Sequence, residues 1–164
     1  MATINQKQKI TPFLWFDGKA EEAINLYTTI FKNSKIVSLS HWGEGSPFPK
    51  GQVMNGTFEL EGQRFYAFDA GPMFKFTEAI SFFVNCETQE EIDYFWEKLT
   101  AGGGQESMCG WLKDKFGLSW QIVPPVLVEL LGDKDQAKAG SVMQAMMKMK
   151  KIIIADLQKA YDGK

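Results

Sequence analysis

The spacing of apolar positions changes several times along the chain, and each change marks an element. ITPFLWFD, from Ile10 to Asp17, is a short aromatic-rich strand candidate. Beyond Gly18, the positions Ala23, Leu26, Tyr27, Ile30 and Phe31 fall at helical spacing, so AEEAINLYTTIF has one apolar face. Lys32-Asn33-Ser34 stops that helix, and Ile36 to His41 reads as a strand. Two further alternating strands, Val53 to Leu60 and Gln63 to Asp69, turn at Glu61-Gly62. The order is β-α-β-β-β.

The order then recurs. AISFFVN, from Ala79 to Asn85, is a strand candidate. Thr88 to Glu91 (TQEE) forms a capping box, in which the Thr88 hydroxyl accepts from the Glu91 amide and the Glu91 side chain reaches back. Ile92, Phe95, Trp96 and Leu99 give that helix one apolar stripe, and Gly102 to Gly104 ends it. Ser107 to Cys109, Trp111 to Lys115 and Leu118 to Val123 are the following short strands. Glu21-Glu22 and Glu90-Glu91 open the two helices alike. One supersecondary unit is therefore duplicated. A βαβββ unit has a single helix to cover its sheet, so two of them leave a curved sheet with an open concave face, a natural pocket. The predicted class is α+β: a single domain with module one at about 9–71, module two at about 78–124 and a helical tail at about 125–161.

Composition narrows the function. The chain has 164 residues, 45% of them hydrophobic and 13% aromatic, enough for a sizeable core with aromatics left to line a cavity. A net charge of −2 offers no basic face for a nucleic-acid backbone, and Lys148, Lys150 and Lys151 read as the solvated side of a helix. No apolar run is long enough to span a bilayer, and Met1 to Lys9 is too polar for a secretory leader. Cys86 and Cys109 alone make no disulfide framework. A cytoplasmic protein that binds neither nucleic acid nor membrane is expected.

The duplicated βαβββ order, with TPFLWFDGKAEEAINLY, AGPMFKFTEAISFFVNC, CGWLKDKFGLSWQIVPP and VMQAMMKMKKI, resembles the glyoxalase/bleomycin-resistance/dioxygenase (vicinal oxygen chelate) superfamily. Within it these stretches are similar to the PhnB-like branch, labelled as a "3-demethylubiquinone-9 3-methyltransferase" domain. The resemblance spans about Ile10 to Tyr161. It implies a homodimer and, in the enzymes of the superfamily, a divalent metal at the concave face, held by residues of the first and last strands of each module.

Position by position, that ligand set is depleted. The last strand of module two in the superfamily reads D-x-x-G-x-x-x-E with the Glu a ligand; here the pattern falls on Asp114, Gly117 and Gln121. Ala79 stands where the first strand of that module opens with His, followed by Ser81 and Phe83 on the same parity. Module one offers Thr11 or Pro12, then Tyr66, Ala67 or Phe68 with Asp69 just beyond, and Met73 replaces a His of relatives. A neutral amide is a weak transition-metal ligand, and the single histidine, His41, cannot supply a two-His iron site. It reads as a surface or partly stacked imidazole. The expectation is a site with no metal and no cofactor.

Gln121 shares a strand face with Ser119 and Val123, while Trp120 and Ile122 point to the helices. It is read either as a hydrogen-bonding anchor on the wall of an apolar pocket or as a buried amide satisfied by its neighbours. Cys109 faces the pocket or serves structure; no His stands near it to make a thiolate, and Cys86 reads as structural. Asp17 is expected to cap the first helix beside Gly18. The Gly/Pro-rich stretch from Trp42 to Gln52, around Phe48, reads as a lid or as a disordered connector, and Phe74-Lys75-Phe76 as a second edge of the cavity. Gly102 to Gly104 follows a helix rather than a strand, so it is not the glycine turn of a Rossmann-type methyltransferase. In the tail, Asp135 caps a helix striped by Ala139, Val142, Met143, Met146 and Met147, and Met149, Ile153 and Leu157 continue it or open another. These helices are expected against the end of the sheet or a partner subunit.

The sequence thus points to a homodimeric, small-molecule-binding protein. Its ligand-binding candidates are Trp15, Tyr66, Phe68, Phe83, Cys109, Trp111 and Gln121, with the parity of Trp15 unsettled. The alternatives are a metal-assisted lyase, isomerase or dioxygenase, a methyltransferase as the family label says, or a dimeric scaffold with no ligand.

Overall fold

The computed structural model describes residues 8–163, so most of the polar Met1 to Lys9 stretch lies outside the described residues. The chain forms two compact units, one ending at Lys75 and the other starting at Phe76.

The first unit runs β1 (Phe13–Phe16), α1 (Ala20–Ile30), β2 (Ser34–His41), β3 (Val53–Leu60) and β4 (Gln63–Asp69), in sheet order β1-β4-β3-β2. β1 and β4 are parallel, and the other pairs are antiparallel. The amphipathic pattern of α1 decides its burial: Ala20, Ala23, Ile24, Tyr27 and Ile30 are buried, as are Leu14, Phe16, Phe58, Phe65 and Ala67 of the sheet. Tyr27, Phe58 and Phe65 form a stacked series with ring centroids 6.4 and 5.3 Å apart. Gly56 admits the helix, since a Cβ there would stand 2.6 Å from Ile24 Cδ1. Glu61 (φ 47°) and Gly62 (φ 81°) form the expected two-residue hairpin turn, which needs positive φ at both positions.

The second unit repeats this order as β5 (Ser81–Asn85), α2 (Gln89–Thr100), β6 (Gln105–Glu106), β7 (Trp111–Lys113) and β8 (Ser119–Val123), in sheet order β5-β8-β7-β6 with β5 and β8 parallel. Three helices follow: α3 (Pro125–Leu131), α4 (Gln136–Met146) and α5 (Ile154–Asp162). Ile92, Trp96 and Leu99 of α2 are buried, together with Leu112, Trp120 and Ile122 of the sheet. The capping box forms at α2: Glu91 N donates to Thr88 Oγ1, and the Glu91 carboxylate accepts from Glu87 N at 2.8 Å, one residue before the cap. Asp135 caps α4 as expected. Among the described residues no helix is long and apolar enough to cross a membrane.

Two local expectations are overturned. Asp17 does not cap α1; the carboxylate of Asp69 does so from the end of β4, accepting from Lys19 N at 2.8 Å and Ala20 N at 3.0 Å. Helix-opening amides need an acceptor, and the parallel β1–β4 pair brings one from 50 residues away. The segment Ser107 to Cys109 is not a strand. Cys109 (φ 59°) and Gly110 (φ 81°) turn the chain, and their amides donate to the Met149 and Lys150 carbonyls at 2.7 Å. The tail takes the donors that a longer ladder would have used, and β6 shrinks to Gln105–Glu106. A side chain at Gly110 would stand 2.8 Å from Ile122 O and 3.1 Å from Ile152 Cγ1, so only glycine admits the buried Ile152 here.

The tail is integral to the second unit. Gln89 donates to Ile152 O at 3.1 Å and accepts from Ile154 N at 2.9 Å, and Lys151 pairs with Asp93 of α2. Leu127, Ala139, Val142 and Leu157 are buried, while Met143 and Met147 of the predicted stripe remain exposed.

Candidate functional site

In the first unit the face away from α1 is aromatic. Parallel register sets Phe13 beside Tyr66 and Trp15 beside Phe68. The Phe13 ring lies 4.9 Å from that of Phe68, and Trp15 lies 4.8 Å from Phe68 and 4.9 Å from Phe74, all edge-on. Trp15 Nε1 donates to Gly71 O at 2.9 Å, which anchors the indole. The parity of β1 is thereby settled: Trp15 shares a face with Tyr66 and Phe68. Phe13, 56% exposed, is a fourth aromatic on that face. Two-residue alternation from Trp15 was the signal that could have found it. Further along the same face, Arg64 holds Glu59 through Nε (3.2 Å) and Nη2 (2.7 Å), and Lys35 reaches the same carboxylate. The Arg64 and then the Lys35 bonds hold the Glu59 carboxyl below its ordinary range.

The loop from Trp42 to Gln52 is folded on itself, not a disordered connector. Trp42 and Gln52 are joined at 2.8 Å, Gly51 N donates to Trp42 O at 2.9 Å, and Phe48 packs on Trp42. Trp42 Nε1 donates to Asp69 O at 3.1 Å.

In the second unit, register places Phe83 beside Gln121 and Gln121 beside Trp111. The three therefore form one row across β5, β8 and β7, on the face away from the buried Trp120 and Ile122. Phe83 is 48% exposed, and Gln121 and Trp111 are half-buried. Gln121 Nε2 donates to Ser81 Oγ at 2.8 Å, leaving Oε1 without a bond among the described residues. The neighbouring row is Ser81, Ser119 and Lys113. Lys113 pairs with Glu78, and that bond holds the Glu78 carboxyl below its ordinary range. Cys109 stands off these rows, in the turn before β7.

The family-type metal donors do not assemble. Asp69 is 2% exposed, and both its oxygens are engaged: Oδ1 by Lys19 N and Ala20 N, Oδ2 by Val53 N at 2.9 Å. Asp114 of the ligand-strand pattern is likewise turned inward, accepting from Phe116 N, Leu118 N and Trp120 Nε1. His41 Nε2 lies 2.8 Å from Glu21, as a surface pair. Among the described residues, no three His, Cys, Asp or Glu side chains come together to hold an ion. An amide with its donor on a serine does not fit the role of a coordinating carboxylate.

The thiols differ. Burial, and then the nearby Glu91, push the Cys86 thiol up to about 12. Cys109 is part-exposed. With a disulfide reagent at mildly alkaline pH, Cys109 is expected to react promptly and Cys86 only on unfolding. A fast thiol surviving Cys109→Ser would contradict this. The stabilisation linked to Cys86 is complete below pH 9.0, where an unfolded-chain thiol begins to ionise. It declines toward about 12, because over that range only the unfolded thiol ionises.

A βαβββ order used twice, each sheet mixed and covered by its helix on one face, defines a protein of the glyoxalase superfamily. More narrowly, the chain belongs to the PhnB-like family described as 3-demethylubiquinone-9 3-methyltransferase, whose profile matches residues 8–123. The PhnB protein of Bacillus cereus, which carries the same methyltransferase name with the qualification that it is unproven, is 46% identical; the match covers 71% of this chain and 99% of that one, with a TM-score of 0.68. PA1353 of Pseudomonas aeruginosa is 22% identical over 72% of this chain and 98% of its own, with a TM-score of 0.61. A fosfomycin resistance protein, FosX of Listeria monocytogenes, seen with Mn(II) and a dihydroxypropylphosphonic acid, shares the fold at 12% identity and a TM-score of 0.50, over 70% of this chain and 89% of its own. No curated protein matches the chain. The family match ends at Val123, so α3, α4 and α5 lie beyond it.

Proposed function

We propose that the chain binds a small, largely apolar organic molecule without the metal of its superfamily. The observation that carries this reading is the row Phe83, Gln121 and Trp111: two accessible aromatic side chains flanking an amide whose acceptor is unengaged. Aromatic surface supplies affinity, and an amide supplies selectivity, because a ligand that leaves it unpaired is penalised. Trp15, Tyr66 and Phe68 form a second aromatic surface of the same kind. The Trp42–Gln52 flap serves as a lid over ligand held on this first-unit surface. The protein works as a homodimer in the cytoplasm; exposed Met73 and Ile80 supply apolar surface for a second copy.

The metal claim has a direct test. Untagged protein exposed to Zn²⁺, Mn²⁺ or Fe²⁺ and then desalted is expected to retain far less than one equivalent. Stoichiometric metal that is lost on Gln121→Ala would overturn the reading in favour of a metal-assisted enzyme. For ligand binding, a thermal-shift panel of small aromatic and aliphatic compounds is expected to yield ligands that raise Tm. Saturation at 100-fold over Kd adds about 2.7 kcal/mol, or about 5–10 °C for a chain of this size. Trp111→Ala should abolish the shift. A panel with no ligand at all would favour a scaffold role. Sedimentation velocity tests the dimer, and a monomer at micromolar concentration would refute it.

A further inference from the structure

The row beside Gln121 holds more donors than acceptors. Ser81 Oγ accepts from Gln121 Nε2, and its own proton has no acceptor among the described residues. Ser119, its direct neighbour across β5 and β8, is 1% exposed, and its hydroxyl has no partner among the described residues. Lys113 is the next residue across the sheet, opposite Ser119. Among the described residues its ammonium is met by Glu78 alone, from the segment before β5, and the Glu78 side chain is 60% exposed. Two hydroxyls, an ammonium and an amide therefore share one end of the face, with a single solvent-exposed carboxylate as counter-ion. Buried hydroxyls are almost always bonded, so the orphan at Ser119 marks a place where an acceptor is missing. An exposed ion pair contributes little, so Glu78 is readily displaced.

Resting on the ligand-binding reading above, we infer that this row receives the carboxylate of an aromatic or aliphatic acid whose apolar part lies on Phe83 and Trp111, and that Glu78 is a built-in substitute for that carboxylate. The entering anion takes Lys113 from Glu78 and supplies acceptor oxygens to Ser119 and Ser81. Gln121 orients the ligand at the boundary between the polar and aromatic rows. No bond is made or broken, and Glu78 moves into solvent. The ligand class is thus a monocarboxylic acid with one ring or short chain, rather than a neutral hydrocarbon-like molecule.

Phenylacetate and its uncharged counterpart phenylacetamide separate the possibilities, with affinities read by tryptophan fluorescence and by NMR titration. Phenylacetate is expected to bind at least about tenfold tighter than phenylacetamide, the scale of one charge-assisted contact. Lys113→Met should remove that preference and Lys113→Arg should keep it. Glu78→Gln should strengthen phenylacetate binding several-fold and leave phenylacetamide unchanged. Ser119→Ala should weaken phenylacetate without lowering Tm, since it deletes an unpaired buried hydroxyl. A hydroxyl that serves structure alone would lower Tm and leave binding alone, which would contradict the inference. Equal affinity for the two compounds, both weakened by Trp111→Ala, would overturn the carboxylate site and leave the apolar pocket standing. Absence of phenylacetate binding to both the parent protein and Glu78→Gln would overturn the carboxylate site as well, and the wider panel then decides the pocket separately.

Discussion

Asp69→Ala is expected to destabilise the first unit by about 3–5 kcal/mol, the scale of removing a buried charged acceptor from several donors. The carboxylate bonds Lys19 N and Ala20 N through Oδ1 and Val53 N through Oδ2. It thereby ties the start of α1, the start of β3 and the end of β4 to one side chain that is 2% exposed. Alanine leaves amides that water reaches poorly, Ala20 and Val53 both being fully buried. Asp69→Asn, which keeps one acceptor oxygen, is expected to lose roughly half as much. Guanidinium unfolding followed by circular dichroism measures both. A loss below about 1 kcal/mol for Asp69→Ala would mean that the amides find other acceptors, and the structural assignment of this carboxylate would fall. The same bonds engage both carboxylate oxygens of the acid that lies just beyond the ligand positions the resemblance implies for module one.

Ile152→Ala is expected to cost about 2–5 kcal/mol, the range for emptying a buried isoleucine site. Ile152 is fully buried, although it lies beyond the end of the family match at Val123. The tail that carries it follows β8. In this chain it is structural. The Met149 and Lys150 carbonyls satisfy the amides of the Cys109-Gly110 turn, and Gln89 clasps Ile152 and Ile154 from the first turn of α2. Urea unfolding of Ile152→Ala should show the lost stability in the second unit, reported by Trp111 and Trp120. If the midpoint is unchanged, the tail is a passenger and the second unit stands on β5 to β8 and α2 alone.

Much of the fold was legible because its signals are local. The 3.6-residue stripe of α1 and α2, the Thr88 to Glu91 box and the Glu61-Gly62 turn each act within a few residues, and each formed where the pattern placed it. Strand ends were less legible. Ala79 and Ile80 were expected inside β5, but the strand begins at Ser81, where its pairing with β8 starts opposite Ser119. Period two on β8 sufficed to put Gln121 opposite Trp120 and Ile122. It did not suffice for β1, where the strand is four residues long and its parity could be anchored only by the partner strand.

The order of elements and their duplication were determined by the sequence, since they depend on residue identity and short-range spacing. Which residues meet was decided only by the tertiary structure. Asp69 rather than Asp17 serves the amides of α1, because a helix N-terminus requires an acceptor without specifying its position in the chain. The Phe83, Gln121 and Trp111 row, and the unpaired Ser119 beside it, exist only through the register of three strands drawn from separate parts of the chain. Register is a property of pairing, set by long-range burial and hydrogen bonding, and no single strand carries it.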